Sequence, residues 1–91
     1  NEAKPHFQAA LREAKVARLD FYAIDAAHMI ALIVPPAEAI IWHEEALRLA
    51  KTANEPRAQD WQGSLLNNLG WTYHDLGKFE PALTTFQQAL D

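Results

Sequence analysis

The sequence predicts an all-α fold, an array of antiparallel helix hairpins stacked along the chain. Three observations predict it. The 91-residue sequence repeats itself: residues 10–17 match residues 46–53 at six of eight positions, and Phe7 to Leu11 match Phe86 to Leu90 at four of five. Apolar residues recur at three- and four-residue steps, the spacing of one helix face. Only three glycines and five prolines are present, too few for a turn-rich all-β chain. Repetition on this length scale marks units that complete their cores on their neighbours.

Five helices are expected, at roughly 3–18, 20–34, 36–53, 57–76 and 78–91. The first follows from the likeness of its residues to the two later helical stretches. The second follows from an offset of 43, which carries Leu66, Leu69, Gly70, Tyr73 and Leu76 onto Ala23, Ala26, Ala27, Ile30 and Ile33. Every mapped position stays apolar or small. Asp20 is the expected N-cap of this helix, although neither Gly nor Pro marks the break before it. Pro35-Pro36 separates the second helix from the third, because proline is tolerated in a first helical turn and stops the helix before it. In the third helix Ala39, His43 and Ala46 share their spacing with Ala82, Phe86 and Ala89. Asn54-Glu55-Pro56 breaks the chain again. In the fourth helix Leu66, Leu69, Tyr73 and Leu76 form one stripe; in the fifth, Phe79, Ala82, Leu83, Phe86 and Leu90 form another. Gly77-Lys78 is the short turn between them.

Composition narrows the function. Eight Lys and Arg against twelve Asp and Glu give a net charge of −4. That argues against a nucleic-acid binder, which needs a basic face to displace counterions, and against a polybasic membrane anchor. There is no cysteine, hence no disulfide framework and no thiolate zinc site. A reducing compartment is compatible with this, and a cytoplasmic location is expected. The longest apolar stretch, Ala26 to Val34, is interrupted by His28 and is too short to span a bilayer. Asn1-Glu2-Ala3-Lys4-Pro5 has neither the pattern of a signal peptide nor an initiator Met, so a fragment or a processed chain is expected.

The stretch from Leu66 to Leu90 resembles a tetratricopeptide repeat. Leu69-Gly70, Tyr73, Gly77, Ala82, Phe86 and Ala89 match that family's pattern in spacing and type. The Leu66-Asn67-Asn68-Leu69 opening and the longer period resemble the kinesin-light-chain-like branch. From Ala23 to Ala53 the match is degenerate, with Ala27 in place of the glycine, Ile30 of the tyrosine and His43 of the phenylalanine. Residues 1–18 resemble only the second helix of a preceding unit. The resemblance implies a right-handed superhelical array, an α-solenoid of about two and a half repeats. All of 1–91 would be one domain: 1–19 the second helix of a preceding repeat, 20–54 a degenerate repeat and 57–91 the best-matching one. The implied function is a non-catalytic protein- or peptide-binding module that uses the concave face of its first helices. The sequence stops on an apolar stripe at Asp91, so further sequence or stacking of chain ends is expected. An oligomerisation scaffold through open repeat ends is therefore the alternative function, and a regulatory segment of a larger protein is another.

The residues of that face can be read from helical spacing. Ser64, Asn67, Asn68, Trp71, His74 and Asp75 share one side of the fourth helix, and Phe21, Asp25, His28 and Leu32 share one side of the second. Asn68 carries both a donor and an acceptor, as gripping a peptide amide requires, and Trp71 offers apolar area with one donor. The face has no Lys or Arg where the carboxylate-clamping members of the family would have them, so neutral or basic peptides are the expected ligands. His28 and His74 stand on neighbouring helices of the face, which leaves a weak metal site, a pH-sensitive contact or ordinary polar side chains as readings. His43 is expected to be partly buried and hydrogen-bonded. Trp42 and Trp61 are read either as interface markers or as covers of the core edge. Gly63, Gly70 and Gly77, seven apart, serve packing rather than phosphate binding. Glu38 and the Glu44-Glu45 pair lie on a convex helix face where carboxylates are solvated. With no nucleophile–base pair and no cofactor motif, neither catalysis nor a cofactor or metal is expected.

Overall fold

The computed structural model describes residues 3–53, 56 and 60–90. Among these residues there is no strand, and five helices follow one another. They are α1 (Ala3–Val16), α2 (Asp20–Ile33), α3 (Pro36–Thr52), α4 (Gln62–Asp75) and α5 (Phe79–Leu90). Pro56 and Asp60 are also helical, and Trp61 lies in a turn between Asp60 and α4. Of the expected break Asn54-Glu55-Pro56, Pro56 is helical and so does not interrupt the chain as expected; Asn54, Glu55, the expected helix start at 57 and the chain end at Asp91 lie outside the described residues, as do Asn1 and Glu2.

The boundaries have local causes. Leu76 closes α4 and Gly77 follows at φ 76. The Lys78 N–H donates to the Tyr73 carbonyl at 2.9 Å, and the Gly77 N–H to the His74 carbonyl at 2.9 Å. This is the paired C-terminal capping pattern, which needs the left-handed conformation that glycine adopts without penalty. The same pattern ends α1 without a glycine. Arg18 takes φ 59, and the Leu19 N–H reaches the Ala14 carbonyl at 2.9 Å. The expectation that Asp20 caps α2 is corrected by the cap geometry. Leu19 occupies the cap position with no side-chain hydrogen bond, and Asp20 is already the first helical residue. Pro36 opens α3, and the Pro35 carbonyl accepts from the Ala39 N–H at 2.9 Å.

Each helix packs on the next in sequence, giving an open array of 37 × 32 × 12 Å. The contacts run through small residues. Ala23, Ala26, Ala27, Ala46 and Ala50 are buried together with Ile24, Ile30, Leu65 and Leu66. The repeat equivalence predicts this: Ala23, Ala26, Ala27 and Ile30 are as buried as Leu66, Leu69 and Gly70. Small side chains bring helix axes close and leave little void, the condition for dispersion contacts to accumulate. Two ion pairs, Lys4–Glu38 and Lys15–Glu45, tie α1 to α3 over the intervening helix. No helix among the described residues is long and apolar enough to cross a membrane.

Candidate functional site

α2 and α4 belong to successive hairpins and are the helices expected to carry the binding face. Between their residues lies a pocket of about 300 Å³ lined by His28, Trp61, Ser64, Leu65 and Asn68. Three of the residues anticipated for the face, His28, Ser64 and Asn68, meet there. Trp61 forms one wall. Its ring packs against Phe21 at 4.7 Å and against His28 at 6.3 Å between ring centroids, both edge-to-face. It also packs on the hydrophobic core, as does Trp42, so both tryptophans cover the edge of the core. The spacing that sets Trp61 beside Ser64 and Asn68 is visible in the sequence, although its ring partners are not. Residues 61, 64 and 68 continue one helical stripe, and Trp61 has helical φ and ψ (−72°, −13°) although it precedes α4.

Other anticipated residues fall elsewhere. Trp71, 53% exposed, stacks edge-to-face on Phe86 of α5 at 5.2 Å and on His74 at 5.4 Å, and His74 meets Phe79 at 5.3 Å. This exposed aromatic cluster belongs to the α4–α5 hairpin. Asn67, Asp75 and Asp25 are exposed and line no pocket wall, and Leu32 is exposed on α2. His74 Nδ1 lies 3.9 Å from Asp75 Oδ1. The anticipated neighbour relation between His28 and His74 is replaced by another. His28 faces His43 of α3, with ring centroids 6.4 Å apart.

His43 is buried at 3% exposure, further than the sequence suggests. Its Nε2 is 3.1 Å from Thr72 Oγ1, and the Thr72 hydroxyl is 3.1 Å from the Asn68 carbonyl. The Nδ1 atoms of His28 and His43 are buried without a hydrogen-bond partner. Burial, reinforced by the neighbouring His28, lowers the His43 pKa to about 4, so the ring is neutral at pH 7. Behind the pocket, α2, α3 and α4 thus meet through two imidazoles and a hydroxyl. The periodic pattern carried no sign of Thr72 as the partner. Among the described residues no group of three or more His, Cys, Asp or Glu is placed to hold a metal ion.

Lys and Arg are unevenly distributed over the helices, whereas acids occur on all of them. α2 carries Asp20 and Asp25, and α4 carries Asp75, while neither contains Lys or Arg. Among the described residues the cations Lys4, Arg12, Lys15, Arg48 and Lys51 sit on α1 and α3, with Arg18 and Lys78 in the connections between helices. A second pocket, about 390 Å³, opens between α3, α4 and α5, where Glu44, Arg48, Lys51, Tyr73 and Gln88 contribute to its lining. Burial, with Glu44 nearby, pushes the Tyr73 hydroxyl pKa up. None of the anticipated site residues lines this pocket.

No curated protein and no solved structure gives a significant match to the chain. A family model described as tetratricopeptide repeat matches residues 36–91, which is α3 through α5 and more than half of the sequence. The match covers Gly70, Gly77, Ala82 and Phe86, whose spacing resembles the repeat, and the all-α array agrees with it. The chain belongs to the tetratricopeptide repeat family.

Proposed function

We propose that this chain is a non-catalytic peptide-binding module that holds its ligand along the α2–α4 face. Tetratricopeptide repeats generally mediate protein–protein interaction and are typically non-catalytic. The observation that carries the reading here is the α2–α4 pocket, with Trp61 and His28 as walls and Ser64 and Asn68 as polar lining. Specific sites commonly combine an apolar recess with a few placed donors and acceptors. On this reading a ligand side chain enters the pocket while Asn68 and the exposed Asn67 engage backbone amides. Trp71 and His74 extend the surface toward α5. The α2–α3 and α4–α5 hairpins act as two repeats, with α1 as the second helix of a preceding one, and a cytoplasmic setting accords with the absence of cysteine.

The test is selection from a diverse peptide library by the chain and by its Asn68→Ala, Trp71→Ala double variant, compared at equal helicity. Peptides retained by the parent and lost by the variant are the expected result. No enrichment, or enrichment indifferent to the variant, would overturn the reading.

A second reading has one observation behind it. Phe79, Leu83 and Leu90 of α5 are 62%, 60% and 88% exposed. An apolar helix face of this kind suits self-association through the repeat ends. Light scattering that gives a monomer mass at all accessible concentrations would exclude it.

A further inference from the structure

The α2–α4 pocket has a chemistry more specific than that of a generic peptide groove. We propose that it receives the basic side chain, lysine or arginine, of a bound peptide, with Trp61 as the aromatic platform and Asp25, which stands beside the pocket on α2 and not in its lining, as the counter-charge. The proposal rests on the peptide-binding reading of this face and names the ligand's anchor.

Three observations converge on it. First, the walls are aromatic. Trp61 lines the pocket with His28 and is braced edge-to-face by Phe21 at 4.7 Å. An indole face is the side chain best suited to attract a cation within about 6 Å of its centroid. Second, the stripe of α2 that meets Trp61 carries an acid. Phe21 and His28 both pack on Trp61, and Asp25 lies between them, four residues after one and three before the other. Residues so spaced are surface neighbours on a helix, roughly 5–6 Å apart at their β-carbons. Asp25 is exposed and has no ion-pair partner among the described residues. Asp60, also exposed, directly precedes Trp61 in the chain. Third, α2 and α4 themselves contain neither Lys nor Arg.

The polar lining fits the same occupant. Ser64 Oγ and the Asn68 side-chain oxygen are acceptors for ammonium or guanidinium donors, and Leu65 supports the aliphatic stem. An anionic side chain would meet Asp25 as a like charge, and a purely apolar one would leave the Ser64 and Asn68 acceptors without a donor. At about 300 Å³ the pocket sits at the small end of ligand cavities, the scale of one long side chain rather than of a cofactor.

The test uses capped single residues, which report on the pocket without a peptide. N-acetyl-arginine amide and N-acetyl-lysine amide are titrated against N-acetyl-norleucine amide and N-acetyl-glutamate amide. The Trp61 indole N–H signal is followed by NMR and assigned with Trp61→Phe. The expected result is saturable movement of that signal by the two cations, about tenfold tighter than by norleucine amide. Asp25→Asn should remove most of this preference, and added salt should weaken it. An equal response to norleucine amide, or a Trp61 signal that no cation moves, overturns the proposal. The peptide selection separates it from the underlying reading. Enriched peptides that depend on Asn68 and Trp71 yet carry no basic residue overturn the anchor and leave the groove standing. If no peptide is enriched, the groove reading fails, and the capped residues alone decide the pocket.

Discussion

Gly70 of α4 faces the ring of Phe86 of α5 so closely that a β-carbon at position 70 would lie 2.5 Å from Phe86 Cε1, with two further ring atoms within 2.9 Å. The hairpin closes at that point because one partner has no side chain. Phe86 in turn packs edge-to-face with Trp71, so the contact also fixes the exposed aromatic cluster. Gly70→Ala gains helix propensity but must displace the ring. We expect the displacement to win, with a net loss of about 1–3 kcal/mol in denaturant unfolding, the range for overpacked sites. An unchanged midpoint would mean that Phe86 relaxes freely.

The glycine at this position is legible in the sequence because repeat packing requires small residues where helices cross, and spacing reveals them. The same logic, applied to the repeat offset alone, assigns Ala23, Ala26 and Ala27 to the core, where they lie. Three features are not legible, each for a physical reason. The end of α1 has no glycine, since Arg18 accepts the left-handed conformation itself. The role of Trp61 depends on Phe21 and His28, which are distant in sequence and reach it only through helix stacking. His43 can be equated with Phe86 by spacing, but its hydrogen bond to Thr72 follows no period. Between α2 and α4, Ser64, Asn68 and His28 line one pocket. Trp71 and His74 share the α4 surface with them but are drawn to α5 by ring contacts.

Arg18 is the one non-glycine residue at positive φ among those described, at 59°. A side chain there carries the steric cost of the left-handed region, roughly 1–2 kcal/mol, against which glycine has a greater unfolded-state entropy to lose. Arg18→Gly is therefore expected to stabilise the chain by about 1 kcal/mol, read as a raised urea midpoint with unchanged slope. Arg18→Val should do the reverse, because β-branching makes the conformation worse.

Glu45 of α3 is held by two cations. Its hydrogen bond with Arg48 first, then the one with Lys15 of α1, lowers its carboxyl pKa to about 2. A depressed carboxylate pKa contributes stability above the unfolded pKa near 4.5, and loses it as pH falls toward 2. Because both cations are exposed, Glu45→Gln should cost only about 0.2–1 kcal/mol at neutral pH, and less in high salt. The loss should appear as fraying of α1, measurable as faster amide exchange at Leu11 and Ala14, which face the core. Exchange unchanged at those amides would mean that α1 is held by its apolar contacts alone.

His43 gives the array a second and earlier acid sensitivity. Its pKa falls from 6.5 to about 4 because burial, and then the adjacent His28, disfavour the imidazolium. The unfolded chain therefore binds the proton more readily than the folded one, and stability must rise with pH across this window. The contribution is fully present above about pH 6.5, falls as pH drops toward 4, and is lost below it. A shift of this size corresponds to roughly 3 kcal/mol for a buried ring. The expected observation is a thermal midpoint that declines between pH 6.5 and 4, beginning well above the pH near 4.5 at which the Glu45 contribution starts to be lost. His43→Leu should flatten that decline, while leaving Thr72 with only the Asn68 carbonyl. Identical pH profiles for the parent and His43→Leu would assign the acid sensitivity to the carboxylates instead.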